Sequence, residues 1–257
     1  MFSLTGKSAV VTGGSSGIGR AIVHRFCQAG AQVLIADRKA PEDRGEFLQI
    51  DVSREEEVAA MLQEAHARFG KVDILVNNAG IQPLGIGFGE VTGELLERTF
   101  AVNVNSVAYA IKHAGRLVSE HGRIINIASF IGMIGAPGAS AYGASKAAVI
   151  HLTRLAAMEL APRRITVNSV SPGAVRTPAV TEIPNNPEIP FIERRTPLGR
   201  LGEPDEVAAV CHFLASTEAA YITGQNIAID GGLTAGWTEY DVVAPVNVQN
   251  GRWIDDL

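Results

Sequence analysis

Residues 8–20 read SAVVTGGSSGIGR, and this stretch decides the fold. Ser8–Val11 is a short, apolar, partly β-branched run that suits a buried strand. Three spaced glycines follow at Gly13, Gly17 and Gly19, and the pattern from Gly17 onward is helical. Glycine takes positive φ without penalty and lets a ligand approach the backbone closely. A strand–loop–helix turn of this kind sets the first N–H groups of the helix at the carboxyl edge of a parallel sheet. Free N–H groups and the positive dipole end suit a pyrophosphate. The spacing is T-G-x-x-x-G-x-G, not G-x-G-x-x-G; taken alone, such a loop is equally a device for tight packing.

Working outward, short apolar runs alternate with longer helical patterns. The strands are expected at Ser8–Val11, Gln32–Ala36, Phe47–Ile50, Ile74–Val76, Arg123–Ile127, Thr166–Val170 and Asn226–Ile229. Helices are expected at Gly17–Ala29, Glu55–Phe69, Leu95–Ser119, Tyr142–Leu160 and Pro204–Ala215. Ser53 with Glu56 three residues later reads as an N-cap, and Pro204 as a first-turn residue. Continuous apolar strands alternating with helices predict an α/β fold, a doubly wound parallel sheet in a single domain. The one long irregular stretch, Thr177–Gly202, holds Pro178, Pro184, Pro187, Pro190 and Pro197, and a loop of that length reads as a lid. The tail, Trp237–Leu257, has no clear period and could pack on a neighbouring subunit.

Composition narrows the function. The chain has 257 residues, 46% of them hydrophobic, which is enough for a sizeable core. The net charge of −5 and the absence of any Lys/Arg run argue against nucleic acid as a partner. No apolar run reaches the length of a membrane span. The start, MFSLTGKSAV, lacks the basic and apolar blocks of a signal peptide. Cys27 and Cys211 lie far apart without metal spacing, as two buried apolar residues of a protein in the reducing cytoplasm. The six histidines, His24, His66, His113, His121, His151 and His212, show no ligand spacing, so no metal site is expected.

Asp37 closes the second strand. A carboxylate there accepts hydrogen bonds from adenosine ribose hydroxyls and repels a 2′-phosphate, which favours NAD over NADP. Arg38 pulls the other way, because a guanidinium can pair with that phosphate. Tyr142 and Lys146 stand four apart at the start of a helix and share a face. A free tyrosine has a pKa of about 10; a nearby ammonium stabilises the phenolate, making the pair a general base for an alcohol proton or an acid in reverse. Ser129 ends strand five, where its hydroxyl can donate to a carbonyl or accept from an alcohol.

TGGSSGIG at Thr12–Gly19, NNAG at Asn77–Gly80, Ser129, YGASK at Tyr142–Lys146 and SPG at Ser171–Gly173 stand in one order and spacing. On these motifs the sequence resembles the classical short-chain dehydrogenases/reductases over roughly Thr5–Gly232. The resemblance implies an NAD(P)-dependent oxidoreductase on one Rossmann-type domain, with seven strands in the order 3-2-1-4-5-6-7. That domain would span residues 1–236 with the lid at about 177–202, followed by a C-terminal extension at 237–257. It implies that Gly13, Ser15, Ser16, Gly17, Ile18 and Gly19 hold the pyrophosphate. Asp37 and Arg38 would meet the adenosine ribose, Asp51 and Val52 the adenine. Asn78, Ala79 and Gly80 would steady the sheet and approach the ribose, and Pro172, Gly173, Val175 and Thr177 would face the nicotinamide. The implied catalytic set is Asn103, Ser129, Tyr142 and Lys146, the last two also touching the cofactor, with Asn105 competing for the place of Asn103.

Two features depart from the family pattern. The segment between Asp37 and Asp51 is too short for the usual crossover helix, and Pro41 and Gly45 read as loop. The tail carries Trp237, Tyr240 and Trp253 beyond a minimal ending. The residues after Ser129, FIGMIGAPG, and the lid residues Ile183, Ile189, Phe191 and Ile192 are apolar. They suit a small to medium neutral secondary alcohol or ketone, cyclic compounds and polyols included, with NAD as cofactor. An NADPH-dependent 3-oxoacyl-(acyl-carrier-protein) reductase is the alternative within the family; a non-catalytic dinucleotide sensor and an epimerase are the alternatives outside it. Relatives imply a homotetramer built on the helices at Leu95–Ser119 and Tyr142–Leu160.

Overall fold

The computed structural model describes residues 2–42, 45–183, 188–236, 248–249 and 252–253; for Glu188 and the last four it describes the backbone alone. Seven parallel strands form the sheet: β1 (Ser8–Thr12), β2 (Gln32–Asp37), β3 (Glu46–Gln49), β4 (Val72–Asn77), β5 (Val118–Ile127), β6 (Thr166–Pro172) and β7 (Asn226–Ile229). Their order is β3-β2-β1-β4-β5-β6-β7, the order the resemblance implies. Between them run α1 (Gly17–Gln28), α2 (Glu55–Phe69), α3 (Gly93–Phe100), α4 (Ser106–Leu117), α5 (Ser140–Leu160), α6 (Pro178–Thr181), α7 (Glu188–Arg195) and α8 (Pro204–Ala215). A small antiparallel pair, β8 (Val248–Gln249) and β9 (Arg252–Trp253), stands in the tail.

Strand periodicity assigns the two faces of the sheet. Ala9, Val11, Ile74, Val76 and Ile125 join Ile22 and Phe26 of α1 and Val207 and Cys211 of α8 in one buried cluster. The intervening Val10, Leu34, Leu75 and Ile124 join Met61 and Leu62 of α2, Ala114 of α4 and Leu160 of α5 in the other. Because both faces are covered, β1 and the middle of β4 carry successive apolar residues rather than alternating ones, while β5 and β6 also bury polar side chains such as Asn126, Asn168 and Ser169. Strand β1 pairs with both β2 and β4. The chain leaves β1 toward one side and returns with β4 on the other, so a crevice opens at their carboxyl ends.

Several boundaries differ from expectation. The single helix expected at Leu95–Ser119 is α3, a π-helical turn at Ala101–Asn105 and then α4; Val118 and Ser119 already belong to β5. Ser53 does not cap α2. Its hydroxyl donates to Asp51 Oδ1 at 2.7 Å, and Arg54 takes the cap position without a side-chain bond. Ser129 lies two residues beyond β5 and caps a short 3-10 turn, Phe130–Gly132. Cys27 is exposed rather than buried; Cys211 is buried. The lid is not irregular throughout, since it carries α6 and α7. Its two feet are joined by backbone bonds from Arg176 N to Gly202 O (2.8 Å) and from Gly202 N to Ala174 O (2.9 Å). Pro204 does open α8, behind a capping box between Glu203 and Glu206. No helix joins β2 to β3 among the described residues. Trp237 and Tyr240 lie outside the described residues, as does the side chain of Trp253.

Candidate functional site

The glycine loop is built around contacts that exclude side chains. A Cβ on Gly19 would stand 2.1 Å from the Gly13 carbonyl oxygen, and one on Gly13, at φ 65°, 2.9 Å from Ala79 Cα. Helix α1 begins with no side-chain cap and no acidic residue in its first turn. Its leading N–H groups therefore face a groove of about 550 Å3 without a negative neighbour on the helix, an arrangement that fits a pyrophosphate. Gly13, Ser16, Gly17, Ile18 and Gly19 all border this groove. Ser15 does not; its hydroxyl donates to Lys39 O at 2.7 Å and ties the loop to the β2–β3 connection.

At the far end of the groove stand Asp37, Arg38, Asp51 and Val52. Asp37 Oδ2 accepts from Ser15 N (3.1 Å) and Oδ1 from Lys39 N (3.2 Å), so its carboxylate is oriented by the loop it faces. Bonds from the Ser53 hydroxyl and amide hold the Asp51 carboxyl below its ordinary range. Arg98, Ala101 and Val102 also border this end. Sequence reading missed Ala101 and Val102 because the π-helical turn they open leaves no mark in the apolar period, and Arg98 because it reads as an ordinary cation near the end of α3. Asn78, Ala79 and Gly80 line the groove between the two ends. Asn78 Nδ2 donates to Thr12 O (2.9 Å) and Gly13 O (3.0 Å), clamping the NNAG segment to the end of β1. Asn77 continues inward, donating to Asn126 Oδ1 at 2.8 Å, and Asn126 donates to Thr153 of α5 at 2.9 Å.

A cavity of about 210 Å3 adjoins the groove, sharing Ile18, Asn78, Gly80, Ile81 and Thr177 with it. Ser129, Tyr142, Lys146, Pro172, Gly173 and Val175 border it. Helix α5 presents Tyr142 and Lys146 on one face, with the Lys146 amine 5.9 Å from the centre of the phenol ring. Lys146 Nζ donates to Ile127 O at 2.8 Å. Asn103, in the π-helical turn, is buried; it donates to Ile81 O (2.9 Å) and Ser145 Oγ (3.0 Å) and accepts from Ile81 N (2.8 Å). Asn105 is exposed. A Cβ on Gly80 would stand 3.2 Å from Asn103 Oδ1 and 3.5 Å from Lys146 Nζ, so the asparagine and the lysine flank the same glycine. Of the apolar residues expected around the substrate, Phe130, Ile131 and Ile192 border the cavity. Met133, Ile134, Ile183 and Phe191 do not and are exposed. Gln82 and Leu84, in the loop after NNAG, also border it; they lie in aperiodic sequence that no motif covers.

Burial shapes the titration of the pair. It pushes the Tyr142 phenol above its usual range, and a bond with Ser129 draws it back in part. Burial lowers the Lys146 ammonium to about 8. An unfolded lysine keeps a pKa of about 10.4, so between about pH 8 and pH 10.4 the unfolded chain binds more protons and stability rises with pH. The shift corresponds to about 3 kcal/mol, gained across that window. Urea unfolding of the cofactor-free protein at its two ends is expected to show the gain in the wild type and to lack it in Lys146→Met; equal gains in both proteins would contradict it.

Comparison with known proteins bears on this geometry. The sequence model of a family described as enoyl-(acyl carrier protein) reductase matches residues 13–234, most of the chain. An uncharacterized short-chain type dehydrogenase/reductase of Sinorhizobium fredii is 39% identical over 238 residues, which are 88% of this chain and 43% of that relative's length. The chain belongs to the short-chain dehydrogenase/reductase family. Two further members of this family cover this dehydrogenase/reductase more evenly. Cis-4-hydroxycyclohexanecarboxylate dehydrogenase of Sinomonas cyclohexanicum is 39% identical over 89% of this chain and 97% of its own. The ligand-free aldohexose dehydrogenase of Thermoplasma acidophilum superposes with a TM-score of 0.87 at 33% identity, covering 96% of this chain and 98% of its own. Membership makes this short-chain dehydrogenase/reductase an oxidoreductase of alcohols and ketones that uses a nicotinamide cofactor. No helix among its described residues is long and apolar enough to cross a membrane, and no group of three or more metal-ligating side chains gathers among them.

Proposed function

We propose that the protein is an NAD-dependent oxidoreductase that interconverts a small to medium neutral secondary alcohol, cyclic alcohols and polyols included, with its ketone. One observation carries the reading: Ser129, Tyr142 and Lys146, all buried, border the cavity that adjoins the glycine-loop groove, with Asn103 behind Gly80 beside Lys146. Bound nicotinamide would supply the hydride acceptor, or the donor in reverse. The chain does the rest. Ser129 Oγ accepts from Ile131 N at 3.3 Å, which holds its hydroxyl against Tyr142, where a bound carbinol oxygen would meet both groups. Tyr142 takes the alcohol proton, or returns it to the ketone. In the protein alone the raised phenol is neutral, the form that donates; its work as a base relies on positive charge nearby, which Lys146 contributes. Asn103 holds the Ile81 backbone beside Lys146 and leaves an amide oxygen there for a water that connects the amine to solvent.

Asp37 supports NAD as the cofactor, since its carboxylate would meet a 2′-phosphate with like charge. Leu155 and Met158, exposed on α5, support a homotetramer in which partner helices cover them, read by the mass in solution. The free thiols Cys27 and Cys211 are consistent with a cytoplasmic protein. A second reading, an NADPH-dependent reductase of carrier-bound 3-oxoacyl groups, draws on Arg38, which borders the groove and whose positive charge reaches Asp51 at the same end. Rates of nicotinamide reduction with NAD and with NADP separate the two.

A further inference from the structure

The cavity beside Ser129 and Tyr142 carries one polar side chain for which the proposed chemistry has no use. The Asn78 amide is spent on the Thr12 and Gly13 carbonyls. Ser129, Tyr142 and Lys146 form the reacting cluster, and Thr177 stands where cavity and groove meet, its methyl 3.3 Å from where a Cβ on Gly17 would lie. That leaves Gln82. It is exposed, it borders the cavity, and its amide makes no hydrogen bond among the described residues. The wall around it is apolar, with Leu84, Phe130, Ile131, Val180 and Ile192. Lys146 is the one charged residue bordering the cavity among the described residues, and its amine already donates to Ile127 O.

These facts limit what can bind. A carboxylate or phosphate would shed its water in an apolar wall with no free cation to meet it. A purely apolar substrate would leave the Gln82 amide with no new bond. An amide both donates and accepts, so it matches a neutral hydroxyl or carbonyl. The cavity is about 210 Å3, below the ~300–1,000 Å3 of drug-sized sites, and the nicotinamide would take the part beside Pro172, Gly173, Val175 and Thr177, so what remains suits no more than a single ring at the reacting end.

We infer that Gln82 is a specificity-determining residue that binds a second, uncharged oxygen of the substrate, so that the substrate class is a neutral cyclic diol or the matching hydroxyketone. The inference rests on the reading that places the reacting oxygen at Ser129 and Tyr142. In the oxidation, the O–H and C–H bonds of the reacting carbinol would break as its C=O bond forms, the hydroxyl proton going to Tyr142 in its phenolate form and the C–H electron pair leaving as hydride, for which bound NAD would be the acceptor. The second hydroxyl, on Gln82, keeps its bonds and its proton.

The test compares cyclohexane-1,2-diol with cyclohexanol, in wild type and in Gln82→Leu and Gln82→Glu. It uses two readouts: kcat/KM with NAD, and binding titrations of each alcohol to the Tyr142→Phe protein saturated with NAD. The diol is expected to be favoured about tenfold in both, the net weight of about one added hydrogen bond. Gln82→Leu is expected to bring the ratio to about one, and Gln82→Glu, which keeps an acceptor, to preserve most of it. A wild type that treats the two alcohols alike, or a Gln82→Leu protein that keeps the preference, overturns the inference. Turnover of cyclohexanol without diol preference leaves the oxidoreductase reading standing and sinks only this one. Diol-selective binding that Gln82→Leu abolishes, with no turnover of either alcohol, supports this inference and counts against the oxidoreductase reading.

Discussion

Tyr142→Phe is expected to lower kcat/KM for alcohol oxidation by about 10^3-fold or more, at the upper range of what a positioned acid or base contributes. The substitution removes one oxygen and keeps the ring that packs in α5, so the fold stands and cofactor affinity changes by no more than a few-fold. The size of the effect follows from burial. The phenol sits 8% exposed, its pKa pushed above the usual range by desolvation, and its hydroxyl meets Ser129. Water cannot easily take its place as proton carrier. Lys146→Met is expected to cause a loss of similar order, because the phenolate would then lack its nearby cation. The double variant should be little worse than the worse single one, as for groups that act as a unit. Initial rates at saturating NAD check all three proteins. Turnover by Tyr142→Phe within tenfold of wild type would remove the residue from the chemistry.

Cofactor choice carries the second large effect. Asp37→Asn is expected to move the ratio of kcat/KM for NADP over NAD upward by about 10^2- to 10^3-fold. Two contributions add: loss of a charged acceptor for the ribose hydroxyls, and relief of like-charge repulsion against a 2′-phosphate. Asparagine is the better variant for the test than alanine. Asp37 also accepts the Ser15 and Lys39 amides, one on each oxygen, and the single amide oxygen of asparagine can still accept from one of them. Arg38→Ala in the Asp37→Asn background should then cancel much of the gain, since Arg38 borders the same end of the groove. An unchanged ratio in Asp37→Asn would mean that the carboxylate does not select the cofactor.

How much of this was legible in the sequence varies with the physical signal. The doubly wound sheet and the ligand edge of its strands could be expected from short apolar runs, such as those of β1 and β4, alternating with helical patterns, whereas the strand order came only with the family resemblance. The positions of Gly13, Gly19, Tyr142 and Lys146 were legible because each is held by a local rule: a close backbone approach, or a four-residue helical spacing. What escaped depends on tertiary context. The π-helical turn at Ala101–Asn105 inserts an extra residue into an otherwise helical period, buries Asn103 and sets Ala101 and Val102 on the groove. Ser53 follows the capping pattern, yet the Asp51 carboxylate two residues earlier captures its hydroxyl. Cys27 counted as apolar by type, but it falls on the outer side of α1, opposite Phe26 and Ile22. Gln82 and Leu84 lie in a loop whose path is set by contacts far along the chain, such as the Ile86–Ala139 bridge, and no period marks them.

The most direct test of the account is the initial rate of nicotinamide reduction by the purified protein across a panel of neutral secondary alcohols, cyclic diols and sugars, run with NAD and NADP side by side. The account expects reduced nicotinamide to accumulate with NAD in clear preference to NADP, on at least one neutral cyclic alcohol or polyol. Reduction with NADP alone, or none with either cofactor while NAD binds tightly, would contradict it.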